Sequence, residues 1–328
     1  MKKALITGVT GFVGKYLASH LIQQGIEVWG TSRKDSPYLF LDSNKKVNLF
    51  HTNLNSMGDI YNVLAKVKPD YVFHLAAQSN VKYSWDHKEE TFYTNVNKTI
   101  FLLDACVKFQ NKNPEMRIMT VGSSEEYGKV EPHELPIKES TPLRPMSPYG
   151  ASKAVISMLI QQYHKAYGLN IIHVRPFNHI GPGQSEGFVT TDFAKRIVEI
   201  EKGFVEPILH VGDLSSSRDF TDVLDIVKAY YLLSEKGMPG NIYNICSGLS
   251  VSIQKILDEL VSFSKEEITI LVDENKLRPI SIKDYYGSNQ KIRCISQWEP
   301  SFSIKESLKH IYLYWKEKND LNNDRMEN

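Results

Sequence analysis

The chain has little cysteine: Cys106, Cys246 and Cys294 are the three in 328 residues. Their odd number and wide spacing exclude a disulfide framework and a Cys-x-x-Cys metal site; no metal is expected. A reducing, cytoplasmic setting is the expectation. Neither charge is in excess, with 39 Lys and Arg against 38 Asp and Glu and a formal net charge of +1. That excludes a nucleic-acid partner held by bulk attraction, but not a local basic pocket. No apolar run approaches the roughly 18–20 residues of a membrane helix, so no membrane partner is expected. After Met1-Lys2-Lys3, Gly8, Thr10 and Gly11 interrupt the apolar stretch, and no export signal is read. Internal repeats and low-complexity blocks are also missing. What remains is an ordinary globular composition, 41% hydrophobic and 23% charged, which excludes wholesale disorder.

The N-terminal half alternates short apolar runs with longer stretches of helical period. The runs are Ala4-Leu5-Ile6, Val28-Trp29, Tyr71–Leu75, Arg117–Val121 and Ile171–Val174. Being apolar on both faces, they read as buried parallel strands. Helical stripes lie between them: Val13, Leu17, Leu21 and Ile22; then Ile60, Val63, Leu64 and Val67; then Leu102, Leu103, Cys106 and Phe109. This pattern predicts an α/β fold with a doubly wound parallel sheet. The C-terminal half predicts helices around 193–200, 223–233, 252–263 and 304–315 and a strand at 241–246. Residues 1–176 with about 214–247 are expected to form a dinucleotide-binding domain. A smaller, discontinuous substrate domain would take about 177–213 and 248–317, ahead of a polar, frayed tail at 318–328.

Gly8-x-x-Gly11-x-x-Gly14 follows the first strand and opens the first helix. The first glycine permits a tight turn, the second lets the backbone approach a pyrophosphate, and the third lets helix and strand pack closely. Phosphates then meet the positive end of the helix dipole. At the end of the second strand, Ser32 and Arg33 stand where an acid would select NAD. NADPH is therefore the expected cofactor, with NADH second.

Tyr149 and Lys153 are four residues apart, one helical turn, and Pro148 suits a helix start. A free tyrosine with pKa ~10 is a poor acid–base group at neutral pH. A neighbouring ammonium and an oxidised nicotinamide ring would both lower it, and about 4 kcal/mol would account for ~3 units. The phenol could then donate a proton as hydride reaches a carbonyl carbon. Gly122-Ser123-Ser124-Glu125-Glu126-Tyr127-Gly128 follows another strand, the end at which such sheets place ligands.

Together the glycine turn, His74-Leu75-Ala76-Ala77, Ser123-Ser124, the Tyr149/Lys153 pair and Arg175-Pro176-Phe177-Asn178 resemble the extended short-chain dehydrogenase/reductase (epimerase/dehydratase) family, which acts on nucleotide sugars. The resemblance runs from residue 3 to about 316. Within the family, Val121–Gly128, Arg175–Gln184, Val211–Leu214 and Arg218–Val223 resemble the branch that reduces the C4 ketone of GDP-4-keto-6-deoxy-mannose to GDP-D-rhamnose. The resemblance implies that Tyr149 is the acid–base residue, that Lys153 lowers its pKa and holds the nicotinamide ribose, and that Ser123 contacts the C4 oxygen. It places Phe12, Val13, Asn53, Leu54, Leu75, Ala76 and Ala77 around the cofactor with Gly8, Gly11, Gly14, Ser32 and Arg33. It implies that Ser124 and Glu125 line the sugar pocket and that Asn178 holds the diphosphate-sugar. Lys195 (or Arg196), Arg218 and Arg278 become candidates for the pyrophosphate and guanosine of a GDP-sugar. Near Arg278 the family's Gly-Asp reads Gly287-Ser288, a departure at that site.

GDP-mannose 4,6-dehydratases resemble the chain in the same loop, with Glu125 where a base for the C5 proton would stand. The chain is short for that branch, and the block around Arg218 reads more like the reductases. Epimerase-reductases of the fucose-synthase kind use a Cys/His pair, and residues 122–128 hold no cysteine. A non-catalytic NAD(P) sensor on this fold would be expected to lack Tyr149 or Lys153, and both are present. The resemblance also implies a homodimer through helices near 99–109 and 149–166, with Ile156, Leu159, Ile160 and Tyr163 as the apolar stripe on the second.

Overall fold

The apolar runs of the N-terminal half become neighbours in a single sheet. The computed structural model describes residues 1–33, 36, 38–41, 46–273 and 283–326. Among these, eight strands lie in the order Ile242–Ile245, Ile171–Pro176, Arg117–Val121, Tyr71–His74, Lys3–Thr7, Glu27–Ser32, Lys46–His51 and Tyr38–Phe40. All neighbours pair in parallel except the last two, which are antiparallel at the edge. That edge escaped the sequence reading. Lys46–His51 mixes polar and apolar residues and is only half-buried, so it lacks the continuous apolar run of a central strand.

Side-chain alternation explains why both faces of the sheet are covered. Ala4, Ile6, Phe73, Met119 and Val174 point to one face and pack with Leu17 and Leu21 of the helix Phe12–Gln23 and with Ile226, Tyr230 and Leu233. Leu5, Val72, Ile118 and Ile171 point to the other, against the helices Met57–Val67, Lys98–Phe109 and Pro148–Tyr167. Each fully buried Leu or Ile in these layers is worth about 1.5–3 kcal/mol relative to exposure. Ile156, Ile160 and Tyr163 belong to this second layer. Leu159, the fourth residue of the stripe expected to face a second copy, is half-buried against the same layer. Met158, at 59%, and Tyr167, at 51%, are the large apolar side chains that this helix exposes.

The described residues form two compact units. The first comprises Met1–Phe177, Ile226–Ile245 and Ser288–Trp298, and the second Asn178–Asp225, Cys246–Gly287 and Glu299 onward. The return to the first unit begins at Ile226, later than the expected 214, because Val211, Leu214 and Phe220 pack in the second unit's core. Ile292 and Trp298 pack in the first unit's core instead. The second unit gathers Phe193, Ile197, Leu209, Ile256, Leu260, Leu308 and Trp315 around the helices Val189–Glu201, Ile253–Val261 and Ile304–Met326. The last helix runs into the tail expected to fray, through a stretch without glycine or proline. Among the described residues no helix is long and apolar enough to cross a membrane.

Candidate active site

The glycine turn is built by contacts that only glycine permits. Gly8 has φ +75°, and a Cβ there would stand 2.8 Å from the Ala76 nitrogen. A Cβ on Gly14 would lie 2.4 Å from the Gly8 oxygen, so the helix rests directly on the turn. Gly11 caps the helix without a side-chain acceptor, and the first turn, opened by Phe12 and Val13, holds no acid. Leu75, Ala76 and Ala77 follow the neighbouring strand, and the Ala76 N–H donates to Thr7 Oγ1 at 3.2 Å. A helix start capped by glycine, with its dipole not offset by a carboxylate, fits the pyrophosphate of a dinucleotide.

At the end of the second strand Ser32 is buried and Arg33 exposed. The Thr52 N–H donates to the Ser32 carbonyl at 2.9 Å, which sets Asn53 and Leu54 beside them. Leu54 is held at φ 55°, a left-handed conformation that costs a leucine about 1–2 kcal/mol. Lys98 Nζ donates to the Asn53 carbonyl at 2.8 Å. Burial lowers the Lys98 pKa, and the charge of Arg33 lowers it further. Two cations therefore act on one another at this strand end, and sequence reasoning found only Arg33.

The helix carrying Tyr149 and Lys153 starts at Pro148, and its cap Ser147 accepts the Gly150 N–H at 3.0 Å. A Cβ on Gly150 would lie 2.5 Å from the Glu125 carbonyl, so helix and serine turn touch. The Ser123 side chain lies beside the Tyr149 phenol and acts on its ionisation. Lys153 Nζ donates to the Val121 carbonyl at 2.7 Å and lies 5.9 Å from the Tyr149 ring centroid. Burial raises the Tyr149 pKa above its ordinary value; the Ser123 side chain opposes this, and the charges of Glu125 and Glu126 add to it. Burial pulls Lys153 down to about 8 against the opposing pull of Glu126. The expected lowering of Tyr149 by Lys153 is thus overridden in the chain by itself. Desolvation penalises the phenolate, and the ammonium is held by a carbonyl rather than by the phenol.

Two further groups join this site without a signal in the sequence. Asn95 is buried on a π-helical turn, Tyr93–Asn97, a geometry common at functional positions. Its amide donates to the Gln78 carbonyl at 3.0 Å and to Ser152 Oγ at 2.9 Å. Ser152 Oγ in turn donates to the Tyr149 carbonyl at 2.7 Å. Glu126, fully buried, accepts the Ser123 N–H at 3.0 Å. Neither the spacing of Asn95 nor the Glu125-Glu126 pair distinguishes these residues from surface ones. Among the described residues no group of three His, Cys, Asp or Glu is placed to hold a metal ion.

Ser124 is buried and Glu125 half-buried on the same short turn. In the second unit, Asn178 donates from its side-chain amide to the Asp219 carbonyl at 3.1 Å. Arg218 Nη1 donates to the Ser217 carbonyl at 2.8 Å. Lys195 pairs with Glu186 at 2.8 Å and Glu199 at 3.6 Å, which largely compensates its charge within the chain. Arg278 lies outside the described residues.

A dinucleotide cradle and a Ser/Tyr/Lys constellation at the carboxyl ends of a doubly wound sheet define an oxidoreductase of the short-chain dehydrogenase/reductase type. A family profile described as GDP-mannose 4,6 dehydratase matches residues 5–311, and the chain belongs to this family. It is 31% identical over 314 residues to a GDP-6-deoxy-D-mannose reductase of Pseudomonas aeruginosa, covering 96% of this chain and 97% of that protein. It is 27% identical over 344 residues to a GDP-mannose 4,6-dehydratase of Vibrio cholerae, covering 93% and 91%. The solved structure of RMD from Pseudomonas aeruginosa complexed with NADPH superposes with a TM-score of 0.83 at 30% identity, covering 97% of this chain and all of that one.

Proposed function

We propose that the protein reduces the C4 ketone of GDP-4-keto-6-deoxy-D-mannose to GDP-D-rhamnose with NADPH. The observation that carries this reading is the half-buried Ser123 beside the buried Tyr149 phenol, one helical turn from the buried Lys153. The likeness to the Pseudomonas reductase over nearly the whole chain supports the substrate. The bound nicotinamide supplies the hydride. Ser123 and Tyr149 hold the ketone oxygen, and Tyr149 delivers the proton to the alkoxide that forms there. A phenol with a raised pKa is fully protonated at neutral pH, as a proton donor requires. Lys153 keeps a positive charge beside the site and holds the nicotinamide ribose. Ser124 and Glu125 line the sugar pocket. Asn178 and Arg218 hold the diphosphate, to which guanidinium forks are suited.

A second reading, dehydration of GDP-mannose, rests on Glu125, whose position on the Ser123 turn suits a base for the C5 proton. One assay separates them. Purified protein with NADPH and GDP-4-keto-6-deoxy-mannose is expected to lose NADPH absorbance, and sugar analysis of the product to give the rhamno configuration. No oxidation, with consumption of GDP-mannose under the oxidised cofactor, would assign the dehydratase.

The preference for NADPH rests on Arg33 and Lys98 at the second strand's end. Charge-assisted hydrogen bonds to a phosphate are worth about 1.5–3 kcal/mol. Arg33→Ala is therefore expected to weaken NADPH binding by roughly tenfold or more, with NADH binding unchanged. Fluorescence titration with both cofactors checks this; equal effects on the two would remove the 2′-phosphate assignment.

A further inference from the structure

Behind the serine turn lies a buried charged cluster that the proton-transfer reading does not use. The Glu126 side chain is inaccessible to solvent, and its two oxygens divide the work. Oε1 accepts the Ser123 N–H at 3.0 Å and meets His173 Nε2 at 3.0 Å. Oε2 accepts from Arg175 Nε at 2.7 Å and from the hydroxyl of Ser157. Each of these partners is anchored in turn. His173 Nδ1 meets Thr120 Oγ1 at 2.8 Å, and the remaining Arg175 nitrogens donate to Tyr127 Oη and Ser157 Oγ, both at 3.0 Å. Tyr127 Oη donates to Asn244 Oδ1 at 2.7 Å. The space is reserved as well: a Cβ on Gly122 would fall 1.9 Å from Glu126 Oε1 and 2.3 Å from His173 Nε2.

We propose that Glu126 is a positioning residue for the reaction: its clamped carboxylate fixes the Ser123 backbone, and through it the hydroxyl that Tyr149 shares with the ketone oxygen. This rests on the assignment of Ser123 and Tyr149 above. A single oxygen bridges the strand carrying His173 and the backbone of the residue that touches substrate, so any shift of the carboxylate moves Ser123. Errors of about 1 Å in such positioning cost up to about a hundredfold in rate. The carboxylate also acts by charge. Burial opposes its ionisation, but His173, Arg175 and Ser157 keep its pKa below the usual value. The groups facing Tyr149 are Ser123, Glu125, Glu126, Tyr230 and, 5.9 Å from its ring, Lys153. Glu126 raises the pKa of both Tyr149 and Lys153.

The test is Glu126→Gln, which keeps shape and removes charge, measured on whichever turnover the wild-type protein shows. Absence of ketone reduction by wild type would overturn the functional reading, and GDP-mannose dehydration would then serve to test Glu126, since Tyr149 acts in both. The expected result is a kcat lower by about ten- to a hundredfold with NADPH affinity unchanged. The alkaline limb of the pH–rate profile is expected to move to lower pH, because both Tyr149 and Lys153 lose their protons earlier. Wild-type kcat or an unmoved limb would overturn the proposal. Should Glu126→Gln fail to bind NADPH, Ser157→Ala, which removes one anchor of Oε2, decides. A several-fold lower kcat with intact NADPH binding supports the proposal, and unchanged kcat overturns it.

Discussion

Tyr149→Phe is expected to lower kcat by about 10²–10⁴-fold, the usual contribution of a positioned general acid. The loss should fall on kcat and kcat/KM together, with NADPH affinity unchanged, because the ring stays and only the proton donor leaves. Burial in the first unit leaves the phenol no route to be replaced by bulk water, since Tyr149 is 7% exposed. Wild-type protein should also show a pH signature set by Lys153, whose ammonium burial has brought down to about 8. As pH rises through that value the positive charge beside the site is lost, so kcat/KM should fall above pH about 8. Stopped-flow and steady-state rates from pH 6 to 10, on the order of the range over which these groups titrate, check both. A Tyr149→Phe enzyme within tenfold of wild type would move the proton-donor role elsewhere.

Arg175→Met is expected to destabilise the protein by about 3–5 kcal/mol, the effect of breaking a buried ion pair from one side. The methionine can fill much of the volume, but it leaves Glu126 ionised, buried and without its cation. Arg175 is 3% exposed and Glu126 not at all, so water cannot compensate. The contrast is the Lys129–Glu131 pair, exposed at 65% and 46%, whose removal should be barely measurable. Urea unfolding followed by tryptophan fluorescence reads both. A change below about 1 kcal/mol at Arg175 would mean that Glu126 is neutral in the folded chain. The charge effect proposed for it would then fall as well.

The sequence by itself determined what depends on neighbours along the chain. Turn glycines are local requirements of φ and space, so Gly8, Gly11 and Gly14 were legible from their spacing behind an apolar run. Strand alternation is local too, and Leu5 against Ala4 and Ile6 already divides the two faces of the sheet. The four-residue step from Tyr149 to Lys153 fixes a shared helix face before any tertiary contact forms. Tertiary structure decided everything that depends on who lies opposite. The resemblance singled out Glu125 and nothing in the sequence marked Glu126, yet it is Glu126 that meets His173 and Arg175, 47 and 49 residues away. The stripe Ile156, Leu159, Ile160 and Tyr163 is apolar in either setting, and only the fold shows that Ile156, Ile160 and Tyr163 are buried within the chain while Leu159 stays half-buried. Lys98 gained meaning from Asn53 and Arg33, and Lys195 was claimed by Glu186 and Glu199. Even the sign of the Tyr149 shift was a tertiary matter. Spacing placed the lysine within reach, but desolvation and the direction of the Lys153 ammonium toward Val121 set the balance, and both arise only when the chain is folded.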